Sequence, residues 1–107
     1  MPAPIAAALD DFAGRVRRRF GPRLALLRLF GSYARGDYRP DSDVDVLVLV
    51  EGLGRGERRE IYDLAEEVYF DRLIHVSPLV QSTEEFETIS RREYLIASEI
   101  AREGITI

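Results

Sequence analysis

The sequence predicts a small α/β domain of the α+β kind, with helices packed on a small mixed sheet and residues 1–107 forming one domain. Three observations predict it. Helical and strand-like periodicities alternate along the chain. The run VDVLVLV at 44–50 is strongly β-branched. With 107 residues there is room for one hydrophobic core and no second.

The elements follow in order. Ile5, Leu9, Phe12, Val16 and Phe20 recur at three- and four-residue spacing. They make one apolar stripe, so a helix is expected from about Pro4 to Phe20, stopped by Gly21-Pro22. Leu24 to Phe30 is apolar but too short for a helix between breakers, and reads as a strand. Gly31 to Asp43 is rich in turn formers, with room for a helical turn after Ser32 but not across Pro40. Val44 to Val50 is the second strand, apolar enough to expect cover on both faces. Glu51 to Gly56 reads as a flexible surface loop. Ile61, Leu64, Ala65 and Val68 mark the buried side of a helix from Glu57 to about Phe70. Leu73 to Ser77 reads as a third strand stopped by Pro78. Ser82 with Glu85, and Ser90 with Glu93, are capping-box patterns for two closely spaced helices. The second, about Arg91 to Arg102, would turn Leu95, Ile96 and Ile100 inward and end at Gly104. The tail Ile105-Thr106-Ile107 fits either an edge strand or contact with a partner chain.

Composition excludes some functions. With no cysteine there is neither a disulfide nor a thiolate nucleophile or ligand. Fifteen Lys and Arg against nineteen Asp and Glu leave a net charge of -4, which argues against broad, nonspecific nucleic-acid binding. Arginines cluster at Arg15, Arg17, Arg18, Arg19 and Arg23, and again at Arg55, Arg58 and Arg59. They could grip phosphate, but solvated helix faces are the preferred explanation. No apolar run is long enough to span a bilayer, and no leader pattern opens the chain, so a cytoplasmic, membrane-free protein is expected. A domain this small gains from association, and a homo-oligomer is among the expectations.

The chemistry concentrates between residues 31 and 45. Asp43 and Asp45 are one residue apart, a spacing that on a strand puts two carboxylates on one side. Two like charges held together suit a divalent cation, and hard oxygens suit Mg²⁺ or Mn²⁺. Gly31-Ser32 follows a strand directly. The glycine admits close backbone approach, and amides at the start of a helical turn, with the Ser32 hydroxyl, cradle anions. Arg35 could neutralise phosphate, and Gly36 permits a tight turn. Each feature alone has a structural explanation: a strand-edge Asp pair, a strand-ending Gly, a turn-capping Ser, a surface Arg. Their order, strand, Gly-Ser, loop, Asp-x-Asp, strand, favours a nucleoside triphosphate with a divalent cation.

The stretch GSYARGDYRPDSDVDVLVLV resembles the signature of the DNA polymerase beta-like nucleotidyltransferases. It is most similar to the minimal nucleotidyltransferase (MNT) group, whose members pair with HEPN proteins in toxin–antitoxin modules. Gly31-Ser32, ten intervening residues and Asp43-Val44-Asp45 match the pattern, with Arg35, Gly36 and Ser42 agreeing. The resemblance implies a nucleotidyltransferase fold, and Asp43 and Asp45 as catalytic metal ligands for Mg²⁺. It implies ATP as substrate, held by Gly31 and Ser32, and a HEPN-like partner. Active relatives add a third carboxylate from a neighbouring strand. Here that segment offers only His75 as an ionisable residue, which is taken as the third candidate ligand. Asp71 sits at its start, and Glu66 and Glu67 are weaker candidates.

Three functions follow as expectations. The first is transfer of AMP from ATP to a hydroxyl, such as a tyrosine of a HEPN-like toxin. The second is an antitoxin that acts by binding, with weak or absent catalysis. The third is a degenerate nucleotide-binding sensor.

Overall fold

The computed structural model describes the backbone of residues 1–92 and 100–107, and the side chains of 1–88 and 100–107. Helix α1 (Ala3–Phe20) is followed by a short 3-10 turn (Gly21–Arg23) and strand β1 (Leu24–Phe30). A four-residue helix α2 (Ser32–Arg35) leads through a loop to β2 (Val44–Val50). Then come α3 (Glu57–Arg72), β3 (Val76–Ser82), α4 (Thr83–Arg92), a helical stretch at 100–103, and a short β4 (Ile105–Thr106). The sheet order is β3-β2-β1-β4, with β2 parallel to β3 and β1 antiparallel to both β2 and β4.

The alternation of side chains along β2 divides the core. Val44, Val46, Val48 and Val50 face the larger cluster, where Leu9, Phe12 and Val16 of α1 meet Ile61, Ala65 and Val68 of α3. Leu47 and Leu49 face the other way, onto Ile100 and the half-buried Phe86 of α4. The expected double cover of this strand is therefore present. Gly104 donates its N–H to the Ile100 carbonyl at the end of the last helix, and the tail adds an edge strand to β1. No helix of the described residues is long and apolar enough to cross a membrane.

The third strand is displaced from its expected span of 73–77. Leu73 ends α3 in a left-handed conformation (φ 57°), its N–H bonded to the Tyr69 carbonyl, so 73–75 make a turn. Pro78 lies inside β3 instead of stopping it. The His75 carbonyl accepts from Val44 N–H, so residues 77, 79 and 81 also bond toward β2, while 76, 78 and 80 turn to the free edge. Proline's missing N–H costs no ladder bond there.

The Ser82–Glu85 capping box forms in both directions: Glu85 N–H donates to Ser82 Oγ at 3.0 Å, and Ser82 N–H donates to Glu85 Oε1 at 3.1 Å. The second expected box does not start a helix, because Ser90 lies within α4. Glu93, Leu95 and Ile96 lie outside the described residues.

Most of the clustered arginines join elements together. Arg15 bonds Asp11, Glu67 and Asp71, and Arg19 bonds Glu60, which fastens α1 to α3. Arg58 bridges Glu85 and the Val80 carbonyl. Arg23 donates to both oxygens of Glu57, at 2.6 and 2.8 Å, and to the carbonyls of Glu51 and Gly52. The loop expected to be flexible is thus tied down at its start and end. The Arg23 guanidinium, with the Gly54 N–H, pulls the Glu57 carboxyl down to about 2.

Two predictions follow from these contacts. Because Glu57 has a depressed folded-state pKa, its stabilisation is fully present above about pH 4.5 and is lost as pH falls through about 2. Thermal unfolding measured between those limits should show a steeper loss for wild type than for Glu57→Gln; equal slopes would contradict this. Replacing Ser82 by Ala removes a helix cap and should lower stability by about 1 kcal/mol in urea titration.

Candidate active site

The end of β1 and the start of β2 are neighbours, with Phe30 opposite Asp45 in the antiparallel register. Gly31 turns the chain out of β1 at φ 75° and ψ -155°, a region essentially confined to glycine. Its missing side chain is also required by space. A Cβ on Gly31 would sit 2.3 Å from Asp45 Oδ2. The half-buried Asp45 carboxylate therefore lies directly on the backbone of the Gly-Ser turn. The sequence pairing of Gly31 with the acidic strand, expected for phosphate approach, is here a contact.

Ser32 opens α2, and the Gly31 carbonyl accepts the N–H groups of Ala34 and Arg35 at 3.1 Å each. The amides at the very start of such a turn have no acceptor within it. Gly36 ends α2 in the left-handed conformation (φ 90°), with its N–H on the Ser32 carbonyl. Nothing lies within 4 Å of a Cβ placed on Gly36, so its requirement is conformational alone. The loop back to β2 is braced by Tyr33 stacked on Tyr38 (4.6 Å between centroids) and by Ser42, whose hydroxyl accepts the Arg39 N–H at 2.7 Å. Ser42 is a turn cap.

Arg35, expected to face phosphate, is engaged within the fold. Its guanidinium pairs with Asp37 at 3.2 Å and with Glu103 at 3.5 Å, and Asp37 first among them raises its pKa. Arg35 thereby connects the Gly-Ser turn to the chain's last helix.

Asp43 is exposed, one residue ahead of β2, and opens onto a cleft of about 620 Å³ along the β3 edge. His75 lines the same cleft, but its ring is exposed and stacked on Tyr69, 4.0 Å between centroids and 15° between planes. Asp71 does not approach, since it pairs with Arg15 between α1 and α3. Glu67 belongs to that same network, whereas Glu66 lines the cleft. The β3 residue in register with Asp45 is Ser77. Among the described residues no three acidic or imidazole side chains come together as a metal cage. Two adjacent carboxylates still fit Mg²⁺, which commonly takes one or two protein carboxylates with substrate phosphates and water.

The aromatic wall of the cleft, Tyr62, Tyr69 and Phe70, was not picked out as functional from sequence. A signal did exist: these residues fall off the buried stripe of α3 at 61, 65 and 68, and so must face elsewhere.

Residues 9–101 match the family described as nucleotidyltransferase domain. A Methanocaldococcus jannaschii protein, assigned by inference as a protein adenylyltransferase, is 45% identical over 77 residues, which cover 71% of this chain and 78% of that protein. A second protein assigned the same way in that organism is 30% identical over 79 residues, covering 74% and 75% respectively. Among solved structures, a toxin–antitoxin with AMP-PNP superposes with a TM-score of 0.61 at 22% identity, over 91% of this chain and 70% of that one. A tri-AMPylated Shewanella oneidensis HEPN toxin in complex with MNT antitoxin gives 0.52 at 19% identity, over 92% and 70%. At these identities the structures establish the fold. With a turn and an acidic strand in the arrangement just described, and a family match over most of its length, the chain belongs to the nucleotidyltransferase domain family.

Proposed function

We propose that this chain is a metal-dependent adenylyltransferase that moves AMP from ATP to a hydroxyl, the acceptor being a tyrosine of a HEPN-like partner. The observation that carries the reading is the contact between the Asp45 carboxylate and the Gly31 backbone. It brings a metal-binding oxygen and an anion-accepting turn to one point. The relatives assigned as protein adenylyltransferases support AMP as the group transferred. The AMP-PNP complex and the AMPylated HEPN toxin among the structural neighbours support ATP and a HEPN partner.

In this reading the first-turn amides of α2 and the Ser32 hydroxyl orient the triphosphate. Gly31 lets it approach the backbone. Asp43 and Asp45 would hold Mg²⁺, which when bound offsets phosphate charge and promotes loss of the acceptor's proton. The acceptor oxygen attacks the α-phosphorus, and the bond to the β-phosphate bridging oxygen breaks, releasing pyrophosphate. Arg35, held by Asp37 and Glu103, steadies the turn instead of contacting phosphate.

A second reading, an antitoxin acting by contact, is favoured by Ser77, which carries no acid, being the β3 residue in register with Asp45. Labelled ATP, Mg²⁺ and the partner distinguish the two. Wild type should transfer label, and Asp43→Asn with Asp45→Asn should lose at least about a hundredfold in rate, several kcal/mol of transition-state stabilisation, while still co-purifying with the partner. Neutralisation that survives the double substitution would favour contact alone.

The turn makes a separate prediction. Gly31→Ala meets both a glycine-only conformation and the Asp45 carboxylate, whereas Gly36→Ala meets only a left-handed backbone. Thermal unfolding should show Gly31→Ala the more damaging, with Gly36→Ala costing about 1–2 kcal/mol. In calorimetric titration ATP affinity should fall for Gly31→Ala.

A further inference from the structure

We infer, independently of the activity proposed above, that the cleft beside α3 is a docking pocket for an arginine side chain of a partner protein, set apart from the chemistry of the Gly31–Ser32 turn. The two places belong to opposite faces of the sheet. α3 packs on the valine face through Ile61, Ala65 and Val68. The alternation along β2 turns Asp45 to the other face, that of Leu47 and Leu49. A partner held against α3 need not cover the turn.

The charge of the cleft points to a cation. Glu57, Glu60, Asp63, Glu67 and Asp71 of α3 each meet an arginine. Glu66 is the exception. It lines the cleft and makes no ion pair among the described residues. Asp43 adds a second negative charge, and no Lys or Arg is among the described residues of the lining. A phosphate is repelled there and a cation attracted. The walls select the cation's shape. Tyr62, Glu66 and Phe70 follow one another at four-residue steps, so a carboxylate stands between two aromatic rings in one row of the helix. Tyr69 stacked on His75 makes the adjoining wall. A guanidinium is flat, and it can lie on an aromatic face while its N–H fork meets a carboxylate. A lysine ammonium is a point charge without a plane.

The surroundings make the bearer of that guanidinium a protein. Phe70 is 78% exposed, and Leu73, three residues on, is 76% exposed. This apolar surface extends past the cleft, and a free small cation would leave it in water. A partner with an apolar residue beside its arginine covers both. The free edge of β3 limits how that partner binds. Pro78 turns an imide nitrogen with no hydrogen to the edge, and the Val80 carbonyl already accepts from Arg58 Nε at 3.1 Å. An added β-strand would find neither bond, so the partner inserts a side chain instead of pairing its backbone.

The test uses the full chain, isotopically labelled for NMR, with three blocked tripeptides as probes: Leu-Arg-Leu, Leu-Lys-Leu and Leu-citrulline-Leu. The arginine peptide should give saturable shifts at Tyr62, Glu66, Tyr69, Phe70 and His75, and none at residues 31–36. It should bind about fivefold more tightly than the lysine peptide. Citrulline is flat but uncharged, and its peptide should bind about tenfold more weakly than the arginine one. Glu66→Gln should weaken arginine-peptide binding about tenfold and Phe70→Ala about fivefold. Both side chains are exposed, so thermal unfolding of the two variants should match wild type. Shifts elsewhere, none that saturate, no preference for arginine over either analogue, or full affinity in Glu66→Gln would overturn the assignment. So would concentration-dependent shifts at the same residues without peptide, which would give the cleft to a second copy of this chain. None of these readouts involves ATP, so their failure leaves the adenylyltransferase reading standing.

Discussion

The structure depends on one close approach: a carboxylate on β2 resting against the backbone that leaves β1. Only a residue without a side chain can stand at 31, because both the torsion angles and the neighbouring oxygen exclude any other. That constraint fixes how the two central strands end relative to each other. It also concentrates negative charge beside amides able to accept an anion. Folding and chemistry make the same demand of the same atoms.

The two faces of the sheet carry different duties. One is sealed by α1 and α3 over a row of valines, and arginine–carboxylate pairs fasten those helices together at the rim. The other carries, among the described residues, a smaller apolar cluster around Leu47, Leu49 and Ile100, with Phe86 of α4 packed against it. By the alternation along β2, Asp45 points to this second face, at the strand's start.

Much of this was legible in the sequence, wherever local chemistry decides the outcome. The helical stripe ending at Phe20, the strands at 24–30 and 44–50, and the Ser82 cap all follow from periodicity or spacing, and appear as expected. Sequence reading failed where tertiary context overrides a local rule. Pro78 looked like a terminator because its place on a free edge, with its nitrogen turned outward, could not be known from composition. Ser90 repeats the spacing of a cap but lies inside a helix. The ion pairs of Arg35 with Asp37 and Glu103 were equally invisible, because Glu103 lies far along the chain. Clustered arginines at 15–23 read mainly as solvated helix faces, and only packing of α1 on α3 shows several of them meeting carboxylates. The cleft joins residues from α3, the turn after it and the start of β2, so no single stretch of sequence announces it.

The strict alternation along β2 makes Asp45 a mark of registry. Sliding the strand by a single residue would rotate this charge from the face of Leu47 and Leu49 into the packed valine row beneath Phe12 and Val16. An unpaired ion in that setting is penalised by several kcal/mol, comparable to the whole stability of a small domain. Misaligned pairings of the two central strands are thereby rejected during folding, and a molecule that completes its sheet has, by that fact, already brought Asp45 against the Gly31 backbone.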